Sequence, residues 1–142
     1  MNVICYKRVS ANAQADKGFS LTYQEQMLRQ YCEMKGYNII GMYQEDFSAK
    51  TFDRPEWKKI MTYVKQNRNN IDMILCLRWD RFSRNMYEAL VAIKHLQKYD
   101  IVVNAVEQPL DLTNPDHKIL LTIYLALSEL GRNNFLEGDL FG

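Results

Sequence analysis

The chain has 142 residues, 47% of them hydrophobic and 12% aromatic, enough for one domain to bury a core. Lys and Arg number 18 against 17 Asp and Glu, and a net charge of +1 excludes a free-standing basic nucleic-acid module, so that if DNA is the partner most phosphate contacts come from elsewhere. Cys5, Cys32 and Cys76 are too scattered for a zinc site or a disulfide scaffold, and neither a signal peptide nor a run of 18 apolar residues is present, which together predict a soluble cytoplasmic protein with no membrane partner.

Val3 to Tyr6 is a short apolar run that reads as a buried strand, giving way to Lys7, Arg8 and Ser10 and then to a small, polar loop over Ala11 to Gly18. From Ser20, placed as an N-cap, Leu21, Met27, Leu28, Tyr31 and Cys32 recur at helical spacing up to Gly36, a natural stop. Asn38 to Tyr43 reads as a second strand. A polar loop through Asp53 follows, and Pro55 fits the first turn of a helix carrying Trp57, Ile60, Met61 and Val64. Ile71 to Leu77 is continuously apolar, the pattern of a strand covered by helices on both faces, and ends abruptly in Arg78. Met86 to Lys98 carries Leu90, Ile93 and Leu96 on one helical face, and Ile101 to Val106 reads as another buried strand. After a turn at Asp111 to Pro115, a last helix is expected over Lys118 to Leu136, with a broad apolar stripe of Ile119, Leu120, Ile123, Tyr124, Leu127 and Leu130 that wants a partner surface. Most methionines and tyrosines fall at apolar helical positions and are expected in the core or in oligomer contacts. The alternation predicts an α/β fold with a mostly parallel central sheet flanked by helices, right-handed crossovers and functional loops at the carboxyl ends of the strands.

Arg8, Arg54, Arg78, Arg81 and Arg84 fall in loops or at element starts, and three of them crowd into Arg78-Trp79-Asp80-Arg81-Phe82-Ser83-Arg84. Clustered guanidinium forks suit a phosphate whose charge builds in a phosphoryl-transfer transition state, with no metal required. The competing reading makes them surface charges paired with Asp80, Glu45 or Asp53. Tyr6-Lys7-Arg8-Val9-Ser10 adds a hydroxyl two residues after an arginine, and alternate side chains of an extended segment share a face. Ser10 could therefore attack a phosphate gripped by Arg8, or could be a loop hydroxyl bonded to its own backbone.

The Tyr-Lys-Arg-Val-Ser start, Ser20-Leu21-Thr22-Tyr23-Gln24, Asp46 with Ser48 and Lys50, Arg54-Pro55, and Asp80-Arg81-Phe82-Ser83-Arg84 resemble, in order, the motifs of the serine recombinase (resolvase/invertase) family. Gln108-Pro109-Leu110-Asp111-Leu112 with the helix after it is similar to integrase-type members from transposons and prophages. The resemblance implies one resolvase-like catalytic domain over residues 1–142, with the DNA-binding region outside it. It implies that Ser10 is the nucleophile that forms a 5′-phosphoserine link to DNA, and that Arg8, Arg81 and Arg84 surround the scissile phosphate. By the same matching Gln24, Asp46, Arg54 and Asp80 support the site, Asp80 by salt bridges to the arginine forks. Ser83, among the arginines, competes as nucleophile but fits better as a phosphate ligand. Double-stranded DNA, bound by the full-length protein, and self-association to dimer and tetramer are the implied partners; neither metal nor other cofactor is implied.

Three positions depart from the family pattern. Ala49 stands where glycine is usual, and Gly131 and Gly138 replace charged residues in the last helix, at roughly 1 kcal/mol each against alanine. His95 and His117 lack a Cys or His neighbour at ligand spacing. Two rival functions remain in view. One is a catalytically silent flavodoxin-like interaction module whose arginines bind a partner's acidic surface, but a receiver of that kind would show an acidic cluster after the first strand, where this chain has Lys7 and Arg8; the other, a nucleotide phosphotransferase, would show a glycine-rich phosphate loop, which is absent.

Overall fold

The computed structural model describes residues 1–9, 20–46 and 54–132. In chain order these form β1 (Asn2–Arg8), α1 (Leu21–Lys35), β2 (Asn38–Glu45), α2 (Pro55–Asn67), β3 (Met73–Cys76), α3 (Trp79–Phe82), α4 (Met86–Gln97), β4 (Val102–Ala105) and α5 (Pro115–Arg132), with a 3-10 turn at Arg68–Asn70. The apolar runs pair as one parallel sheet in the order β2-β1-β3-β4, as the alternation predicts.

Side-chain alternation along β1 divides the interior in two. Val3 and Cys5 face Leu28 and Cys32 of α1, together with Met73 and Leu75. Ile4 and Tyr6 face the larger cluster, built from Trp57, Ile60 and Val64 of α2, Ala89, Ile93 and Leu96 of α4, and Leu121 and Leu125 of α5. Helix α1 is bounded as its sequence dictates. The Ser20 hydroxyl accepts the Tyr23 amide at 3.2 Å, and Gly36 takes the left-handed φ of 73° that closes the last turn. The three cysteines are free and buried.

The chain crosses from β1 to the outer strand β2 by way of α1, then returns past β1 to β3 by way of α2. The strand order therefore reverses between β1 and β3, and in open α/β sheets the crevice at the carboxyl ends of such a pair is where ligands bind. Register fixes the two ends side by side, with Cys5 opposite Leu75, so that Arg8 and the Arg78 to Arg84 segment leave the sheet as neighbours.

Three differences from the sequence expectation have physical causes. Strands β1 and β2 continue past their apolar parts to Arg8 and Glu45, because the ladder holds Lys7 opposite Gln44 and Arg8 opposite Glu45 although these residues are polar. Helix α5 starts at Pro115 instead of Lys118, since the Asn114 side chain accepts the Asp116 amide at 2.9 Å and starts the first turn early. Within the arginine-rich stretch, Trp79–Phe82 closes one helical turn where a loop is expected. Burial also sorts the methionines and tyrosines: Met73 and Tyr6 are core, whereas Met34 and Tyr87 are 73% and 77% exposed and are not. The helix expected beyond Arg132, including Gly138, lies outside the described residues.

Candidate active site

Arg8 ends β1 on the same face as Ile4 and Tyr6 and is fully buried. Its backbone is held from the side by Gln24 of α1, also fully buried. The Arg8 amide donates to Gln24 Oε1 at 3.1 Å, and Gln24 Nε2 donates to the Arg8 carbonyl at 2.8 Å. Across the sheet the Val9 amide donates to the Glu45 carbonyl at 3.2 Å. The chain that leads into Ser10 is thus fixed from both sides. Ser10 itself, with Ser48, Ala49, Lys50 and Asp53, lies outside the described residues.

Helix α3 and the end of β1 hold each other. Arg8 Nη2 donates to the carbonyl of Asp80 at 2.5 Å, while Arg81 Nη1 donates back to the carbonyl of Arg8 at 3.4 Å. Arg81 Nε pairs with Asp80 Oδ1 at 3.2 Å. The Asp80 carboxylate therefore steadies Arg81 as expected, but Arg8 is gripped through the Asp80 backbone. Arg54 donates to the carbonyl of Phe82 at 3.1 Å, and its guanidinium lies 5.4 Å from the centre of the Tyr6 ring. An edge-to-face run of Trp79, Phe82, Trp57 and Tyr6 packs beneath these groups and ties α3 to β1.

Burial and like charge together distinguish this cluster from surface arginines. Arg8, Arg54 and Arg81 are at most 2% exposed, which overturns the surface-charge reading for those three. That reading does describe Arg78, which pairs with Glu107 at 3.3 Å near solvent. Arg8 Nε and Nη1 and Arg84 Nε are buried with no hydrogen-bond partner among the described residues. Each unmet buried donor costs about 1–3 kcal/mol. Burial, then the neighbouring charges of Arg81, Arg54 and Arg84, push the Arg8 guanidinium down to about 9. A multiply charged anion with several oxygens would satisfy those donors and relieve the repulsion at the same time.

Two further expected residues, Asp46 and Ser83, make no bond to the arginine cluster among the bonds described above. Asp46 is exposed, and the carboxylate that turns inward is its neighbour Glu45, only 1% exposed. Glu45 Oε2 accepts the amides of Glu56 and Trp57, each at 3.1 Å, and the Tyr6 hydroxyl at 3.3 Å. Helix α2 has no side-chain cap at Arg54, so Glu45 serves as its cap from the end of β2. Glu45 also lowers the cost of burying Arg54 beside it. The Glu45-Asp46 pair carries too little local signal to show which carboxylate points in; strand parity counted from Tyr43 would have been the one clue. Ser83 is fully buried, and its hydroxyl donates to the Asn85 carbonyl at 3.2 Å while accepting the Asn85 amide at 3.0 Å. Those bonds pin Ser83 at the start of α4.

No group of three or more potential metal ligands occurs among the described residues. His117 Nδ1 accepts the Asp111 amide at 2.8 Å, and the His95 ring packs on Tyr99. No helix among the described residues is long and apolar enough to cross a membrane.

A parallel sheet whose reversal point holds buried, mutually repelling arginines defines an α/β domain with a cationic cluster at the carboxyl ends of its strands. The family model for the resolvase N-terminal domain matches residues 3–138, and the chain belongs to that family, with the catalytic-domain fold of the serine recombinases. The N-terminal catalytic domain of TP901-1 integrase is 26% identical and superposes with a TM-score of 0.73 over 94% of this chain and 98% of its own. A resolvase family site-specific recombinase from Streptococcus pneumoniae, 22% identical, shares the fold with a TM-score of 0.69 over 99% of this chain and 93% of its own. Among curated proteins, uncharacterized immunity region protein 3 of Bacillus phage phi105 is 35% identical over 66 residues, which is 46% of this chain and 80% of that protein.

Proposed function

We propose that this domain cuts and rejoins double-stranded DNA by moving a backbone phosphate onto Ser10 and back. The observation that carries the reading is Arg8: buried, short of partners, crowded by three further arginines, and anchored two residues before Ser10. The bond from Ser10 Oγ to phosphorus forms as the bond from phosphorus to the 3′ oxygen breaks. Ser10 loses its hydroxyl proton, the 3′ oxygen gains one, and a 5′-phosphoserine link conserves the phosphodiester for rejoining. Arg8, Arg81 and Arg84 hold the non-bridging oxygens and offset the charge that grows on them. Arg54 braces the α3 turn through Phe82, Asp80 orients Arg81, and Gln24 fixes the strand end. Charge stabilisation by guanidinium groups leaves no step that requires a metal.

Full-length protein bound to its recombination site supplies the groove contacts that a domain of net charge +1 does not, and the exposed α5 stripe supplies a surface for dimer and tetramer assembly. The test is strand cleavage by the complete recombinase carrying Arg81→Ala, Arg84→Ala or Arg81→Lys. Each alanine variant is expected to slow cleavage roughly a hundredfold or more with DNA occupancy retained, and lysine to rescue poorly because it lacks the planar fork. Cleavage at the wild-type rate in these variants, or a chemical step abolished by chelators, would overturn the reading.

A further inference from the structure

The turn after β4 has no part in the chemistry described above, yet its bonds converge on the helix that carries Asp80 and Arg81. Helix α3 is one turn long, and its own N-cap residue, Arg78, makes no side-chain capping bond. Its first amide is met from outside: Trp79 N donates to Gln108 Oε1 at 2.9 Å. The same residue meets the other end of Trp79, whose indole Nε1 donates to the Gln108 carbonyl at 3.1 Å. Glu107 adds a backbone bond to Leu77 at 3.0 Å and the ion pair to Arg78 at 3.3 Å. Trp79 is fully buried and stands edge-on to Phe82, so a shift of its backbone carries the whole turn. Arg81 and the Asp80 carbonyl, which hold the carbonyl and guanidinium of Arg8, lie on that turn.

We infer that Gln108 is a positioning residue for DNA cleavage, whose side chain caps α3 from the turn after β4 and so sets where Arg81 and Asp80 stand against Arg8. A four-residue helix has too few internal bonds to fix its own direction, so a cap from outside decides it. A misplacement of about 1 Å in a charged site is enough to cost a large factor in rate. The inference rests on the proposed phosphate site.

The test uses the 142-residue domain with inorganic phosphate as probe, and the complete recombinase for cleavage. Gln108→Leu removes the acceptor at similar volume, and Gln108→Glu keeps an acceptor oxygen in its place. In Gln108→Leu the Trp79 amide is expected to exchange with solvent roughly tenfold faster. Phosphate affinity and cleavage rate should fall with it, DNA occupancy should hold, and Gln108→Glu should recover most of each. Wild-type exchange, phosphate affinity and cleavage in Gln108→Leu would overturn the inference and leave the phosphate site standing. A domain that is unfolded in both variants, or a Gln108→Glu protein no better than Gln108→Leu, would show a structural role only and also overturn it. Phosphate binding by the wild type that survives Arg8→Met would overturn the site itself, and the inference with it.

Discussion

Arg8 sets the terms at the scale of single residues. A fully buried guanidinium with two unmet nitrogens and three like charges near it opposes folding, so Arg8→Met should raise the stability of the domain, on the order of 1 kcal/mol. The same substitution should abolish any stabilisation by added phosphate, which in the wild type grows with phosphate concentration as binding to the native state demands. The pH dependence follows from a guanidinium pushed down to about 9 in the folded chain. At neutral pH both folded and unfolded chains carry the charge, and the folded state bears its full cost. As pH rises above about 9 the folded chain sheds that proton first, so the penalty shrinks and phosphate affinity falls. Denaturant titrations of both proteins at pH 7 and above 9 would check this: the stability gap between them should narrow, and a gap that widens would contradict it. Glu45 presents the opposite case. Its carboxylate holds two helix amides and the Tyr6 hydroxyl, so Glu45→Ala should destabilise the domain by about 2 kcal/mol or more, measured in the same way. Asp46→Ala, at an exposed position, should change stability little.

At the scale of elements, apolar patterning placed the long helices and the strands among the described residues, because each long helix buries an apolar stripe and β1 buries both of its faces. It failed where polar residues are structural. Lys7, Arg8, Gln44 and Glu45 are strand residues that no apolar pattern reveals, and the first amide of α3 is met by Gln108, far along the chain. The site was legible in part. The arginine-rich segment and the Arg8 position were visible as motifs, and Gln24 came from the family resemblance. Its amide bonds to both sides of the Arg8 backbone were not readable from sequence, since they depend on α1 packing beside β1. Helix α5 carries its own expectation. Ile123 and Leu127 are 47% and 59% exposed on the outer side of a helix whose Leu121 and Leu125 are buried. Ile123→Lys with Leu127→Lys should leave the fold intact and weaken self-association, measured by sedimentation; undiminished association would assign the interface elsewhere.

For the whole molecule, the near-neutral charge separates chemistry from address. A domain of net charge +1 releases few counterions on DNA, so it should bind duplex DNA weakly and without sequence preference, and nanomolar binding to one sequence by residues 1–142 would contradict this. The proposed chemistry rests instead on a small, costly cluster of charge at the point where the strand order reverses. The most direct test is to trap the complete recombinase on its site in nicked DNA and map the covalent link by peptide mass spectrometry. A 5′-phosphoserine is expected at Ser10, lost in Ser10→Ala while DNA binding and fold persist. A link at Ser83, or efficient cleavage by the Ser10→Ala protein, would contradict it.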